Sequence, residues 1–180
     1  MLQAIDDSEL VSQALRGEGE AFARLLDRHY ALIYRLAYRY VGSAADAEDV
    51  AQDVCVTLAT KLGRFNSRSR FTTWLTSVVI NRCRDFLRRR RSSERLMQAY
   101  GSQRELDEGD QADAQRRSEW LHEALQSLEP SLRETVLLVI GEELSHAEAA
   151  EILGCAETTV SWRMHAVKKR LRARMDESDG

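Results

Sequence analysis

The chain has 180 residues, with 26 Lys and Arg against 29 Asp and Glu, 43% hydrophobic and 31% charged residues, nine Gly and one Pro. That length allows one domain or two small ones, the apolar share excludes wholesale disorder, and no run approaches the ~18 apolar residues that span a bilayer, so no membrane insertion is expected. Cys55, Cys83 and Cys155 are odd in number and form no Cys-x-x-Cys, which excludes a disulfide framework and a spaced zinc site; they read as small buried or half-buried residues, with a redox sensor as the alternative.

Scarce Pro and Gly lean the whole chain toward helix. The expected fold class is all-α: two small helical domains joined by a flexible linker. Met1 to Asp7 carries neither the basic segment nor the apolar stretch of a signal peptide, so the chain is expected in the cytoplasm. Ser8 to Arg16 is a short amphipathic stretch closed by Gly17. A second helix is predicted from about Glu20 to Val41, where Phe22, Leu25, Leu26, Ile33, Leu36, Ala37 and Tyr40 recur at helical spacing and Gly42 ends the pattern. Ser43-Ala44-Ala45-Asp46 reads as a capping-box-like start of a third helix. Its apolar face is Ala47, Val50, Ala51, Val54, Leu58 and Leu62, and Gly63 closes it. That leaves Asp46, Glu48, Asp49, Gln52 and Asp53 largely on the wet side.

Arg64 to Arg70 make a polar loop, followed by a helix predicted over Phe71 to Arg91. Its buried stripe is Phe71, Trp74, Leu75, Val78, Val79 and Phe86, and its end is Arg88 to Arg91, where cations suit the helix dipole. Trp74 reads as core rather than as a stacking platform, because it lies on that stripe. From Ser92 the periodicity fades into Gln, Ser, Gly and acids, among them Glu105, Asp107, Glu108, Asp110 and Asp113. Residues 92–117 are therefore predicted to link a domain at 1–91 to one at 118–180. In the second domain Trp120, Leu121, Ala124, Leu125 and Leu128 mark a helix that stops before Pro130. Ser131 to Ile140 is the next, then Gly141. Ser145-His146-Ala147-Glu148 is a second capping box, opening a short helix that ends at Gly154; Thr158 is expected to cap a longer one through about Arg174.

The net charge of −3 conceals an uneven spread. Arg64 to Arg91 holds nine Arg and one acid, Asp85, while Arg163 to Arg174 holds six Lys and Arg and no acid. Screening confines an exposed charge to roughly 8–10 Å, so two basic stripes and one acidic helix face suit two kinds of partner.

The segment His146 to Arg163 has the parts of a helix-turn-helix. Ala150 is small where two helices cross, Gly154 tolerates the turn, and Val160 docks the second helix, with Ile152 and Leu153 completing the core. Thr158, Thr159, Ser161, Trp162, Arg163 and His165 lie in the half of the second helix that would enter a major groove. Lys168, Lys169, Arg170, Arg172 and Arg174 can meet phosphates behind it. The competing reading is a helical hairpin with a solvated basic face.

The run Asp46-Ala47-Glu48-Asp49-Val50-Ala51-Gln52-Asp53, followed by Phe71-Thr72-Thr73-Trp74-Leu75, Asn81 and Asp85-Phe86-Leu87-Arg88-Arg89, resembles region two of bacterial sigma factors. The helix-turn-helix resembles their region four. With two such parts, a short linker and no third domain, the chain resembles the extracytoplasmic-function subfamily. The resemblance covers roughly residues 18–91 and 118–174. It implies a region-two helical bundle and a region-four helix-turn-helix, a protein that joins core RNA polymerase, recognises minus-ten and minus-thirty-five promoter elements and helps open the strands. It implies docking by Asp46, Glu48, Asp49, Gln52 and Asp53 on the clamp helices of the largest polymerase subunit, and a contact with the flap of the second-largest. It assigns Phe65, Asn66, Ser67, Arg68, Arg70, Asn81, Arg82, Asp85, Arg88 and Arg89 to the minus-ten element, with Arg84 also available to phosphates. Thr158, Thr159, Ser161, Trp162, Arg163, His165, Lys168 and Lys169 fall to the minus-thirty-five element. An anti-sigma factor is a further implied partner; no cofactor, metal or catalytic residue is.

Cys55 stands where a bulky aromatic is frequent in the family, and Ser161-Trp162-Arg163 replaces a more usual basic-Ser-Arg run, which leaves the minus-thirty-five sequence open. Arg163 is the candidate for a guanine contact, worth roughly 1–3 kcal/mol if bidentate. The alternative function is a stand-alone helix-turn-helix repressor or activator. An enzyme is disfavoured: His29, His122, His146 and His165 form no His-Glu-x-x-His, and no Gly-rich phosphate loop occurs.

Overall fold

The computed structural model describes residues 6–98, 120 and 123–178, leaving aside the side chains of 94–98 and 174–178. The acidic cluster from Glu105 to Asp113, and most of the predicted linker, lie outside the described residues. The chain divides into two compact units, Met1–Cys83 and Arg84–Gly180. Among the described residues every regular element is helical, and no helix is long and apolar enough to cross a membrane.

The first unit is built on α1 (Asp7–Leu15), α2 (Gly19–Val41), α3 (Ala44–Lys61) and the start of α4 (Phe71–Gln98). Asp6 caps α1, its side chain accepting from the Asp7 N–H at 2.8 Å. Gly42 ends α2 at φ 86°, a left-handed conformation only glycine adopts without strain. Ser43 caps α3, its hydroxyl accepting from the Asp46 N–H at 3.3 Å. Gly63 does not end α3 as expected; Leu62–Arg64 tightens into a 3-10 turn that keeps Leu62 buried.

Leu10, Leu25, Ile33, Leu36, Val54, Leu58, Leu75 and Val79 are enclosed in the core of this unit. Each such side chain contributes roughly 1.5–3 kcal/mol on leaving water, more than any helix propensity present. Phe22, Leu26 and Trp74, predicted for the apolar faces, are half-buried. The first half of α4 is largely enclosed: between Phe71 and Cys83 only Asn81 is exposed. It also runs to Gln98 rather than Arg91, because Ser92 to Gln98 contains no Gly or Pro to stop it. Arg88 to Arg91 therefore sit inside a helix, beyond reach of the terminal dipole that the shorter helix would have offered.

The second unit contains α5 (residues 123–127), α6 (Pro130–Val136), α7 (His146–Leu153) and α8 (Glu157–Ser178). Pro130 opens α6 at its first turn, where its missing N–H costs nothing. The helix expected to continue to Ile140 instead widens at Leu137–Gly141 into a single π turn, with the Glu142 N–H bonded to the Leu137 carbonyl at 3.0 Å.

Arg133, only 8% exposed, closes α5. Its guanidinium donates to the Leu125, Gln126 and Leu128 carbonyls at 2.9, 2.6 and 3.2 Å and to Gln126 Oε1 at 2.7 Å. The Gln126 and Leu128 carbonyls lie at a helix end, where main-chain partners run out, while the Leu125 carbonyl also accepts from the Leu128 N–H at 3.2 Å.

Candidate functional site

Three surfaces carry the residues singled out above. The first is the outer face of α3. Glu48, Asp49, Gln52 and Asp53 are exposed, and Asp46 is half-buried at the capped N-terminus. Val56, 71% exposed, extends this face: Asp49, Gln52, Asp53 and Val56 follow the i, i+3, i+4, i+7 pattern that aligns residues on one side of a helix. Reading the acids alone missed Val56; their spacing was the signal. Tyr30 reaches across from α2, its hydroxyl donating to Glu48 Oε1 at 3.3 Å, and desolvation together with that carboxylate pushes its phenol above the usual range. Behind the face, Cys55 is half-buried, and burial pushes its thiol up, away from the thiolate a redox sensor requires.

The second surface is the loop between the 3-10 turn and α4. Phe65 was expected to touch DNA. It is instead 9% exposed and packed edge-on against Phe71 (ring centroids 5.4 Å, 90°) and tilted against Trp74 (5.6 Å). Its apolar ring has a pocket to fill, and aromatic pairs of this geometry add to burial. Phe71 in turn packs on Trp74 at 5.7 Å and on His29 at 5.2 Å. Asp7 secures the far side, accepting from Arg28 Nη1 at 2.6 Å and pairing with His29 Nε2 at 2.9 Å. One aromatic cluster therefore anchors both ends of the loop.

Between those anchors Asn66, Ser67, Arg68 and Arg70 are exposed. The Arg68 N–H donates to Asn66 Oδ1 at 3.2 Å, forming an Asx-type turn, and Ser67 takes φ 56°, uncommon outside glycine. The loop is thus a short arch of fixed ends and outward polar groups. Along α4, Asn81, Arg88 and Arg89 are exposed and Arg82 and Asp85 half-buried, with Arg88 Nη2 paired to Asp85 at 2.8 Å. Arg84 differs from the expectation. Within the second unit it donates Nε and Nη2 to Glu134 at 2.8 and 2.7 Å, a bidentate pair whose carboxylate is buried. That guanidinium is engaged by a carboxylate rather than presented to phosphate.

The third surface is the helix-turn-helix of α7 and α8. Ser145 and Glu148 close a reciprocal capping box: the Glu148 N–H donates to Ser145 Oγ at 3.2 Å and the Ser145 N–H to Glu148 Oε2 at 2.9 Å. Gly154, at φ 65°, turns the corner with Schellman geometry, its N–H donating to the Glu151 carbonyl at 3.3 Å and the Cys155 N–H to the Ala150 carbonyl at 3.1 Å. Val160, Met164 and Val167 are buried beneath α8. Thr158 does not cap α8 as expected; the Ala156 carbonyl takes the first helical bonds, from Thr159 and Val160, and Thr158 stands exposed in the first turn.

Thr158, Ser161, Trp162, His165, Lys168 and Lys169 are exposed, whereas Thr159 and Arg163 are half-buried on the flanks. Ser161 Oγ lies 2.9 Å from His146 Nδ1, tying α8 to the start of α7. His165, Lys168, Lys169 and Arg172 line an open groove with Ala173, a concentration of positive charge suited to a phosphate track.

Residues 25–93 match the Sigma-70 region 2 family and residues 118–171 the Sigma-70 region 4 family. The chain is 31% identical to the RNA polymerase sigma-H factor of Pseudomonas aeruginosa, over 95% of this chain and 94% of that one. It is 30% identical to the ECF RNA polymerase sigma factor SigM of Mycobacterium tuberculosis, over 92% of this chain and 82% of the relative. Among solved structures, CnrH in complex with the cytosolic domain of CnrY superposes with a TM-score of 0.72 at 25% identity, covering 96% of this chain and 97% of that one. With both regions matched in order and relatives aligned nearly end to end, the chain belongs to the sigma-70 family of RNA polymerase sigma factors, in its extracytoplasmic-function branch.

Proposed function

We propose that this sigma factor divides its work among the three surfaces. The acidic face of α3 (Glu48, Asp49, Gln52, Asp53, with Asp46 at its edge and Val56 at its apolar end) docks on the clamp helices of the largest polymerase subunit. Exposed carboxylates speed and orient such an encounter, and an apolar residue among them supplies surface to bury. The arch of Asn66, Ser67, Arg68 and Arg70, with Asn81, Arg82, Asp85, Arg88 and Arg89 along α4, receives the minus-ten element. Strand opening needs a base held outside the stack, at a cost of a few kcal/mol. A loop whose ends are already anchored adds little ordering cost of its own. Phe65 serves that step as an anchor, not as a base contact.

The outward face of α8 reads the minus-thirty-five element, with Lys168 and Lys169 on phosphates. The segment at 92–117 acts as a tether between a domain at 1–91 and one at 118–180, raising the effective concentration of each DNA contact once the other has formed. The protein acts in the cytoplasm, performs no catalysis of its own, touches the flap of the second-largest subunit and is held in check by an anti-sigma factor.

The observation that carries this reading is the helix-turn-helix, whose exposed face joins hydroxyls, an indole and cations on one side of α8. In vitro transcription with core polymerase on a genomic promoter pool tests it. Start sites should appear only when this chain is added, and background initiation on every template would overturn it. A repressor acting alone would bind duplex equally with and without polymerase. The region-two match over residues 25–93, beside the helix-turn-helix, favours the sigma factor.

A further inference from the structure

We propose that Trp162 selects thymine, reading its C5-methyl group and its O4 together in the major groove. The assignment rests on α8 being the promoter-reading helix. A lone exposed apolar residue is ordinary on a protein surface, but this one lies at the N-terminal half of α8 with Thr158, Ser161, His165 and Lys169 exposed on the same side. It is 67% exposed, and among the described residues it makes no hydrogen bond or ring contact.

Its neighbours are less suited to choosing a base. Thr159 and Arg163 are half-buried on the flanks. Ser161 has its hydroxyl 2.9 Å from His146. Thr158 is exposed but short. His165 and Lys169, exposed on the same side, line the basic groove suited to phosphates, which leaves the indole as the long side chain here with an apolar edge to set against a base, and the selectivity first expected of Arg163 is assigned to it.

Its chemistry then names the base. An indole offers an apolar edge and a single N–H donor, with no acceptor. In the major groove thymine presents a methyl group beside an acceptor, O4. Guanine has acceptors but no methyl. Cytosine offers a donor, which the indole cannot accept. Adenine offers one acceptor beside a donor that would be left without a partner. Thymine alone satisfies both ends of the side chain.

The test uses the full chain with core polymerase and a duplex pool randomised across the upstream promoter block. Wild type should enrich thymine at one position that Trp162→Ala no longer selects, with the other positions unchanged and affinity for the wild-type consensus about tenfold lower. Replacing that thymidine by deoxyuridine removes only the methyl group. This should cost wild type about fourfold, the worth of one methyl, and cost Trp162→Ala nothing. Trp162→Phe, which keeps the ring and drops the donor, should retain sensitivity to deoxyuridine.

Unchanged base preferences in Trp162→Ala would overturn the assignment, as would equal sensitivity of wild type and Trp162→Ala to deoxyuridine. So would a loss confined to polymerase association measured without DNA, because the indole would then grip protein. If wild type enriches no sequence at all, promoter reading by α8 fails and this assignment falls with it. The other failures all require enrichment, so the two cases are distinct.

Discussion

Replacing Arg133 by Met would show how far the second unit depends on one buried cation. The stem keeps its packing, and the four hydrogen bonds at 2.6 to 3.2 Å disappear. The Leu125 carbonyl keeps its bond from the Leu128 N–H; the Gln126 and Leu128 carbonyls and Gln126 Oε1 lose theirs at about 1–3 kcal/mol each when buried, less what water returns, so the gross loss is roughly 4 kcal/mol. Removing the buried charge relieves its desolvation and returns about 1–2 kcal/mol. The net expectation is a loss of roughly 2–3 kcal/mol, a large fraction of the ~5 kcal/mol typical of a small unit.

Urea unfolding followed by tryptophan fluorescence in a Trp74→Phe background measures this directly, because the remaining Trp120 and Trp162 both lie in the second unit. With a slope near 1 kcal/mol per molar urea for so small a unit, the midpoint should fall by about 2–3 M. A fall under about 0.5 M would refute the reasoning, since water would then be serving the end of α5 as well as the guanidinium does.

Reversing Asp49 and Asp53 to Lys should weaken association with core polymerase at least tenfold at low salt, and less at high salt, with helix content unchanged by circular dichroism. Unchanged association in a pull-down titration would remove α3 from the docking role. Lys168→Ala and Lys169→Ala should each weaken binding across all promoter sequences and flatten the salt slope by about 0.9; a sequence-selective loss would contradict phosphate contact. The pH profile of Cys55 alkylation, followed by peptide mapping, should inflect above the ordinary thiol value, since burial raises it. An inflection at or below that value would restore the redox alternative.

Features written in local chemistry were legible before any coordinates. The Ser43 cap, the Ser145–Glu148 box, the left-handed Gly42 and Gly154, and the apolar face from Ala47 to Leu62 stand where their spacing indicated. What escaped has physical reasons. α4 passes Arg91 because nothing local ends it, and fading amphipathicity is not a stop signal. Phe65 is one apolar residue in a polar loop, without neighbours at helical spacing to betray that it is buried. The π turn at Leu137–Gly141 adds one residue to a helical loop and has no compositional mark. Arg84 read as a cation open to phosphates and the role of Arg133 left no mark in the sequence, because engagement of a guanidinium depends on acceptors brought in by folding. Thr158 looked like a cap, yet Ala156 begins the helix. On α8 helical spacing indicated which side chains share the outward face, although Thr159 and Arg163 are half-buried; the loop has no such periodicity to place its residues.

The corner at Gly154 is made of peptide groups: a left-handed residue and two main-chain bonds hold the angle at which α8 leaves α7. Of the outward side chains of α8, Ser161 adds a bond to His146 across that joint, while Thr158 and Trp162 take no part in it. Letters at those two positions can therefore be exchanged one at a time while the frame that carries them stays put. A gene copied and mutated at Thr158 or Trp162 would keep its architecture and acquire a new address, which is an economical route for a lineage to multiply its sets of co-expressed genes.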